Sequence, residues 1–265
     1  MTGNQRFFIE LAYDGTGYHG WQIQPNAVTV QELLNKALAT LLRQPVETTG
    51  CGRTDTGVHA KEFYAHIDTK TTGKPWAVNK KSLNALLPPS IAVKNIIPVH
   101  TDAHARFDAT VRSYEYHIHF DKNPFKHGRS WLLRDKPDTE LMNRAASMLM
   151  EHTDFSCFSK SNTQVKTNYC KVSRALWLET NGGIVFHISA DRFLRNMVRA
   201  IVGTLLEVGR KEISPETIHD IIKSKNRSNA GTSVPACGLY LTEVKYPYPL
   251  NPLKGTIVQD DKEIV

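Results

Sequence analysis

The chain has 265 residues, 33 Lys plus Arg against 26 Asp plus Glu for a formal charge of +7, and 40% hydrophobic residues. That is enough apolar side chain for one large or two small cores without staples, and 16 Gly with 13 Pro excludes collagen-like and low-complexity chains. The cysteines at 51, 157, 170 and 237 form no C-x-x-C pair, which argues against a zinc ribbon, a redox couple or a disulfide framework. At the N-terminus Glu10 and Asp14 arrive before any apolar run of signal-peptide length, and the best membrane candidate, residues 197–208, is interrupted by Arg199 and Glu207. A soluble, cytoplasmic protein with no membrane partner is expected, and its positive charge suits a polyanionic partner.

In chain order, residues 7–13 read as a strand and 14–26 as a Gly-rich connection. Residues 29–42 form the firmest helix: Val30, Leu33, Leu34, Ala37, Leu38 and Leu41 recur at helical spacing, and Thr29 with Glu32 makes a capping box. Strand-like stretches follow at 46–49 and 62–68, a helix at 77–86 stops at Pro88-Pro89, and 91–99 is β-rich. This spells β-α-β-β-α-β, a ferredoxin-like unit. The pattern recurs with a strand at 111–120, a helix at 138–151, a hairpin of 170–180 with 184–190 about Asn181-Gly182-Gly183, a helix at 193–208, another from Ser214-Pro215, and a last strand at 238–246. The expected class is therefore α+β, with two ferredoxin-like halves, 1–105 and 106–247, a tail at 248–265, and sheets that flank a central active-site cleft.

Gly15-Thr16-Gly17-x-x-Gly20 matches the dinucleotide fingerprint, but Trp21, Gln22 and Pro25 stand where a helix should open, so no nucleotide cofactor is expected. His100, His104, His117 and His119 lack zinc spacing, so no metal is expected either. The segment Gly50-Cys51-Gly52-Arg53-Thr54-Asp55-Thr56-Gly57-Val58-His59-Ala60 packs Arg53, Asp55 and His59 into a short loop between strands. Local chemistry allows a turn with an Asx bond from Asp55, or a catalytic loop. After Phe193, Arg195 and Arg199 lie four residues apart beside an apolar flank, an arrangement that calls for a carboxylate across the groove, and Asp55 is the best candidate. Lys160 and Lys166 in the polar loop 159–171, with Lys171, Arg210, Lys211, Lys223, Lys225 and Arg227, supply phosphate contacts as a set.

Taken together, the G-R-T-D-x-G-V-H-A segment, Tyr13-Asp14-Gly15 through Gly20-Trp21-Gln22, Phe193 through Gly203, and Ala230-Gly231-Thr232 through Pro235-Ala236 to Leu241 resemble the tRNA pseudouridine synthase A family in the same order. Thr56, Cys51 and Ser233-Val234 depart from the usual residues without removing a charged or aromatic group. The resemblance implies an isomerase that turns uridine into pseudouridine at positions 38, 39 and 40 of the tRNA anticodon arm, as a homodimer without metal or organic cofactor. It also implies that Asp55 is the essential carboxylate, that Arg199 pairs with it and that Tyr114 packs on the target base. By the same match, Arg53 helps hold that base out of its stack and Leu239 lines the pocket. The residue types suit the reaction, since uracil must leave C1′, rotate and rejoin through C5 beside a carboxylate and inside a walled pocket. Two ferredoxin-like units also describe tandem RNA-recognition domains, a binding-only alternative, but no RNP-type aromatic motif is present.

Overall fold

The computed structural model describes residues 4–70, 78–159 and 167–252. β1 (Asn4–Tyr13) carries Phe7, Phe8, Ile9 and Leu11, all buried: it is an inner strand, and Tyr246 packs edge-on against Phe8. α1 (Val30–Leu42) starts where the Thr29 hydroxyl accepts the Glu32 N–H, and it buries Val30, Leu34, Ala37 and Leu38. Each such leucine contributes about 2 kcal/mol of burial. β2 is a stub (Thr49–Gly50) beside the long β3 (His59–Lys70); α2 (Lys80–Leu86) and β4 (Ile91–Val99) complete the first run. The second run is β5 (Val111–His119), β6 (Trp131–Leu132), α3 (Thr139–Met148), β7 (Val172–Thr180), β8 (Gly183–Ala190), α4 (Met197–Gly209), α5 (Thr217–Ser224) and β9 (Leu239–Lys245).

The strands join into one mostly antiparallel sheet in the order β4-β1-β3-β9-β5-β8-β7, with β2 on β3 and β6 on β5. Separate sheets facing each other across a cleft are not what forms. The two runs merge through a parallel pairing of β3 with β9, His59 opposite Tyr240 and Ala60 opposite Leu241. Beneath this single sheet lie two apolar clusters. One gathers β1, β3, α1 and β4; the other gathers β5, β7, β8, α3 and α4. Each borrows across the joint: Leu241 and Val244 of β9 pack into the first, and Val58 packs into the second.

One helix boundary differs from the sequence reading. The apolar pattern from Phe193 predicts helix, yet α4 begins at Met197, because Asn196 takes a left-handed φ of 67° and its side-chain amide donates to the Ser233 hydroxyl at 2.6 Å. A left-handed residue cannot continue an α-helix, so Arg195 belongs to the turn rather than to the helix face. Among the described residues no helix is long and apolar enough to cross a membrane.

Candidate active site

Asp55 sits in the loop between β2 and β3, just before the point where β3 meets β9. The glycine-rich segment after β1 forms the cradle for this loop. Trp21 N–H donates to the Thr54 carbonyl (3.3 Å), Gly57 N–H to the Tyr18 carbonyl (3.2 Å), and the Tyr13 and Thr54 hydroxyls lie 2.9 Å apart. Gly20 has φ +83°, and a Cβ there would collide with the Thr54 carbonyl, so only glycine allows the two loops to approach. The fingerprint-like glycines thus serve close backbone packing.

Behind the loop, His59 is buried and joins three segments. Its Nδ1 accepts the Gly15 N–H at 3.0 Å, which leaves the hydrogen on Nε2, 3.1 Å from the Cys237 carbonyl, and its ring stacks on Tyr240. Burial lowers its pKa, against the pull of Asp14 Oδ1, 3.2 Å from Nδ1. Burial would raise the Asp14 pKa, but hydrogen bonds from Thr16 and the Arg129 guanidinium hold it down to about 2.

Beside Asp55 stand two guanidiniums. Arg195 Nε is 3.6 Å from Asp55 Oδ1, and Arg199 Nη1 is 3.8 Å from Oδ2. Both distances are ion pairs but too long for hydrogen bonds, and the Asp55 carboxylate accepts no hydrogen bond from any described residue. With 28% of its side chain exposed, it is reachable from solvent and its lone pairs are not taken up by hydrogen bonds. Arg199 is fixed by its Nε–H donating to the Val234 carbonyl at 2.7 Å, while Val234 N–H donates back to the Arg199 carbonyl. The 230–235 segment can lie this close to α4 because Gly203 has no Cβ to strike the Thr232 carbonyl.

Tyr114, on β5, is partly buried between the two cores and meets Phe193 edge-on at 5.1 Å. Burial raises its pKa, and the Asp55 charge adds to that rise, so the phenol is neutral beside the carboxylate. Leu239, buried at the start of β9, lies opposite Tyr116, whose hydroxyl donates to the Pro235 carbonyl at 2.7 Å. Arg53 is exposed on the Asp55 loop. The structure therefore brings Asp55 and Arg199 together as the sequence predicts, with Tyr114 and Leu239 on the neighbouring strands. Lys160 and Lys166 lie outside the described residues. The sequence reading paired Arg195 and Arg199 on one helix face; the turn at Asn196 takes Arg195 off that face, and it is the guanidinium nearer to Asp55.

The four predicted histidines are dispersed. His117 lies 2.9 Å from Glu115, His119 contacts Ser130, His104 meets His66, and His100 meets Tyr248. Among the described residues no group of three or more His, Cys, Asp or Glu side chains is arranged to hold a metal ion. All four cysteines are free, and burial pushes Cys51, Cys157 and Cys170 up to about 12.

A carboxylate between two guanidiniums thus lies near the β3–β9 joint of an α+β fold, and the class of protein is an enzyme, as its relatives define it. A family model described as tRNA pseudouridine synthase matches residues 145–247. The chain is 52% identical over 246 residues to the tRNA pseudouridine synthase A of Bacteroides fragilis, an alignment spanning 92% of this chain and 97% of that one. It is 48% identical to that of Parabacteroides distasonis (94% and 99% covered) and 38% identical to that of Clostridium acetobutylicum (90% and 98%). The chain belongs to the tRNA pseudouridine synthase A family, a family of isomerases.

Proposed function

We propose that the protein isomerises uridine to pseudouridine in the anticodon stem-loop of tRNA, at positions 38, 39 and 40. The observation that carries this reading is Asp55: a part-exposed carboxylate set between Arg195 and Arg199, with no hydrogen bond from any described residue. In the reaction the C1′–N1 bond breaks, the base turns, and a C1′–C5 bond forms, while the hydrogen on C5 is lost and N1 gains one, so the formula is unchanged. Asp55 supplies the carboxylate at the sugar, whether it attacks C1′ or removes a sugar proton. Tyr114 and Leu239 wall the pocket that keeps the detached base from escaping. Flipping the base out costs a few kcal/mol, which stacking on Tyr114 and insertion of exposed Arg53 offset.

The strand orders β4-β1-β3-β2 and β9-β5-β8-β7 support reading the chain as two ferredoxin-like halves, 1–105 and 106–247, fused edge to edge. The working form in this proposal is a cytoplasmic homodimer that binds one tRNA surface, with Lys160 and Lys166 among its phosphate contacts. The test is incubation with unmodified tRNA transcript and mapping of pseudouridine at nucleotide resolution. Product at 38, 39 and 40 is expected; product elsewhere alone, or none, overturns the reading.

A further inference from the structure

Arg112, on β5, has no carboxylate partner among the described residues. Its Nη1 donates to the carbonyls of Ala109 (3.2 Å) and Asp191 (3.0 Å), and its Nη2 to those of Cys51 (2.9 Å) and Arg106 (2.7 Å). A guanidinium has five donors in a rigid fork, so one side chain can tie several loops together. Each tied loop carries another arginine at or next to the anchored carbonyl: Arg53 two residues after Cys51, Arg106 itself, and Arg192 one residue after Asp191.

This gathering of positive charge is not neutralised within the protein. Among the described residues no carboxylate lies within ion-pair distance of Arg53, Arg106 or Arg192. Of the acids nearest in sequence, Asp191 accepts the N–H groups of Lys171 and Arg192, Asp108 accepts the His104 N–H and the Tyr248 hydroxyl, and Asp55, two residues after Arg53, has Arg195 and Arg199 at ion-pair distance instead. Burial lowers the Arg106 pKa, and the charges of Arg53, Arg112 and Arg192 lower it further. Like charges held together cost free energy that an anion would recover. Next to Arg106, Phe107 is 74% exposed, its ring 4.2 Å from that of His104 and 5.7 Å from the Arg106 guanidinium carbon. An exposed aromatic beside unpaired guanidiniums is the combination that holds single-stranded nucleic acid, the charges on phosphate and the ring on a base.

We propose that Arg106 and Arg192 form a phosphate-binding site for the RNA strand leading to Asp55, that Phe107 is its stacking surface, and that Arg112 is the positioning residue that ties their loops to the loop of Arg53. This rests on RNA being the substrate. The experiment is titration of the full chain with unmodified tRNA transcript across a salt series. Arg106→Ala and Arg192→Ala should each weaken binding about tenfold at low salt and reduce the slope of log K against log salt by about one. Phe107→Ala should weaken it about tenfold with an unchanged slope. Lys36→Ala, on α1 and paired with Glu32, is the control and should change neither. Arg112→Lys keeps the charge but not the fork, so affinity should fall although net charge is unchanged; wild-type affinity in this variant overturns the positioning role. Unchanged slopes in both arginine variants, or an equal loss in Lys36→Ala, overturn the site. If the wild-type chain binds tRNA with these effects but forms no pseudouridine, the isomerase reading fails and the phosphate site stands; if it binds no tRNA, both fail.

Discussion

Two carboxylates in this molecule have cations around them and are held in opposite ways. Glu115, on β5, lies 2.6 Å from Lys61 Nζ and 2.9 Å from His117 Nε2, with His187 at 3.7 Å. His117 lowers its pKa most; burial opposes this, Lys61 adds to the lowering, and the carboxyl is held down to about 2. Asp55 has its two guanidiniums at 3.6 and 3.8 Å and accepts no hydrogen bond. The first is saturated and serves structure; the second keeps its charge compensated but its oxygens free for a substrate. Short contacts satisfy a carboxylate, and longer ones leave it able to react.

The comparison breaks most simply at Asp55. Asp55→Ala should reduce pseudouridine formation to below a few per cent of wild type while tRNA affinity stays within about twofold, because the carboxylate meets the sugar and no phosphate. Glu115→Gln should leave turnover close to wild type. Parallel assays of product and binding check both, and turnover persisting in Asp55→Ala would end the assignment.

A smaller loss should follow at the partner. Arg199→Ala should lower turnover about 100-fold, the usual scale for removing one charge-stabilising donor, with Arg199→Lys in between. Lysine keeps the charge but cannot both face Asp55 and donate to the Val234 carbonyl from a planar fork. Single-turnover rates rank the three proteins, and a normal rate in the alanine variant would make Arg199 structural only.

For Glu115 the expected effect is on stability. Its pKa is depressed in the folded chain to about 2, so its contribution is present above the unfolded value near ~4.3 and is lost as pH falls towards 2. With a fifth of the side chain in solvent, screening leaves about 1 kcal/mol at neutral pH. Urea unfolding of wild type and Glu115→Gln should differ by that amount at pH 7 and converge only as pH falls towards 2; a pH-independent gap would remove the electrostatic explanation.

The smallest effect is a titration. The His59 ring, neutral while it accepts the Gly15 N–H, should titrate below its usual value near ~6.5 in an NMR pH series. Since the unfolded chain takes up that proton first, folding should lose stability as pH falls below ~6.5, and His59→Gln should remove this part of the loss. A ring that titrates above ~6.5 would mean that the Asp14 charge outweighs burial.

How much of this was legible depended on the range of the interaction. The Thr29–Glu32 cap, the Asn181-Gly182-Gly183 hairpin and the limits of β4 are local, and the sequence reading found them. The start of α4 was missed because the left-handed turn at Asn196 is held from outside, by Ser233. The absence of a linker leaves it open in the sequence whether the two runs of strands merge, but not where: a two-residue parallel pairing of His59-Ala60 with Tyr240-Leu241 leaves no periodicity to read. At the site, Asp55 and Arg199 stood out because a charged residue on an apolar flank needs a partner. The placing of Arg195 in a turn and the Arg112 hub did not, since they follow from backbone carbonyls and turns whose positions only the fold supplies.

The exchange of side chains at the β3–β9 joint has a consequence for dissection of the chain. A fragment ending at residue 105 would lack Leu241 and Val244, which are 1% and 4% exposed in the intact chain, and the remaining fragment would lose Val58. Each piece would carry an unfilled socket shaped for a side chain of the other. Expressed apart, the pieces should be poorly folded, and mixed, they should recover structure by complementation, with Asp55 and Arg199 restored to their distance only in the reassembled pair.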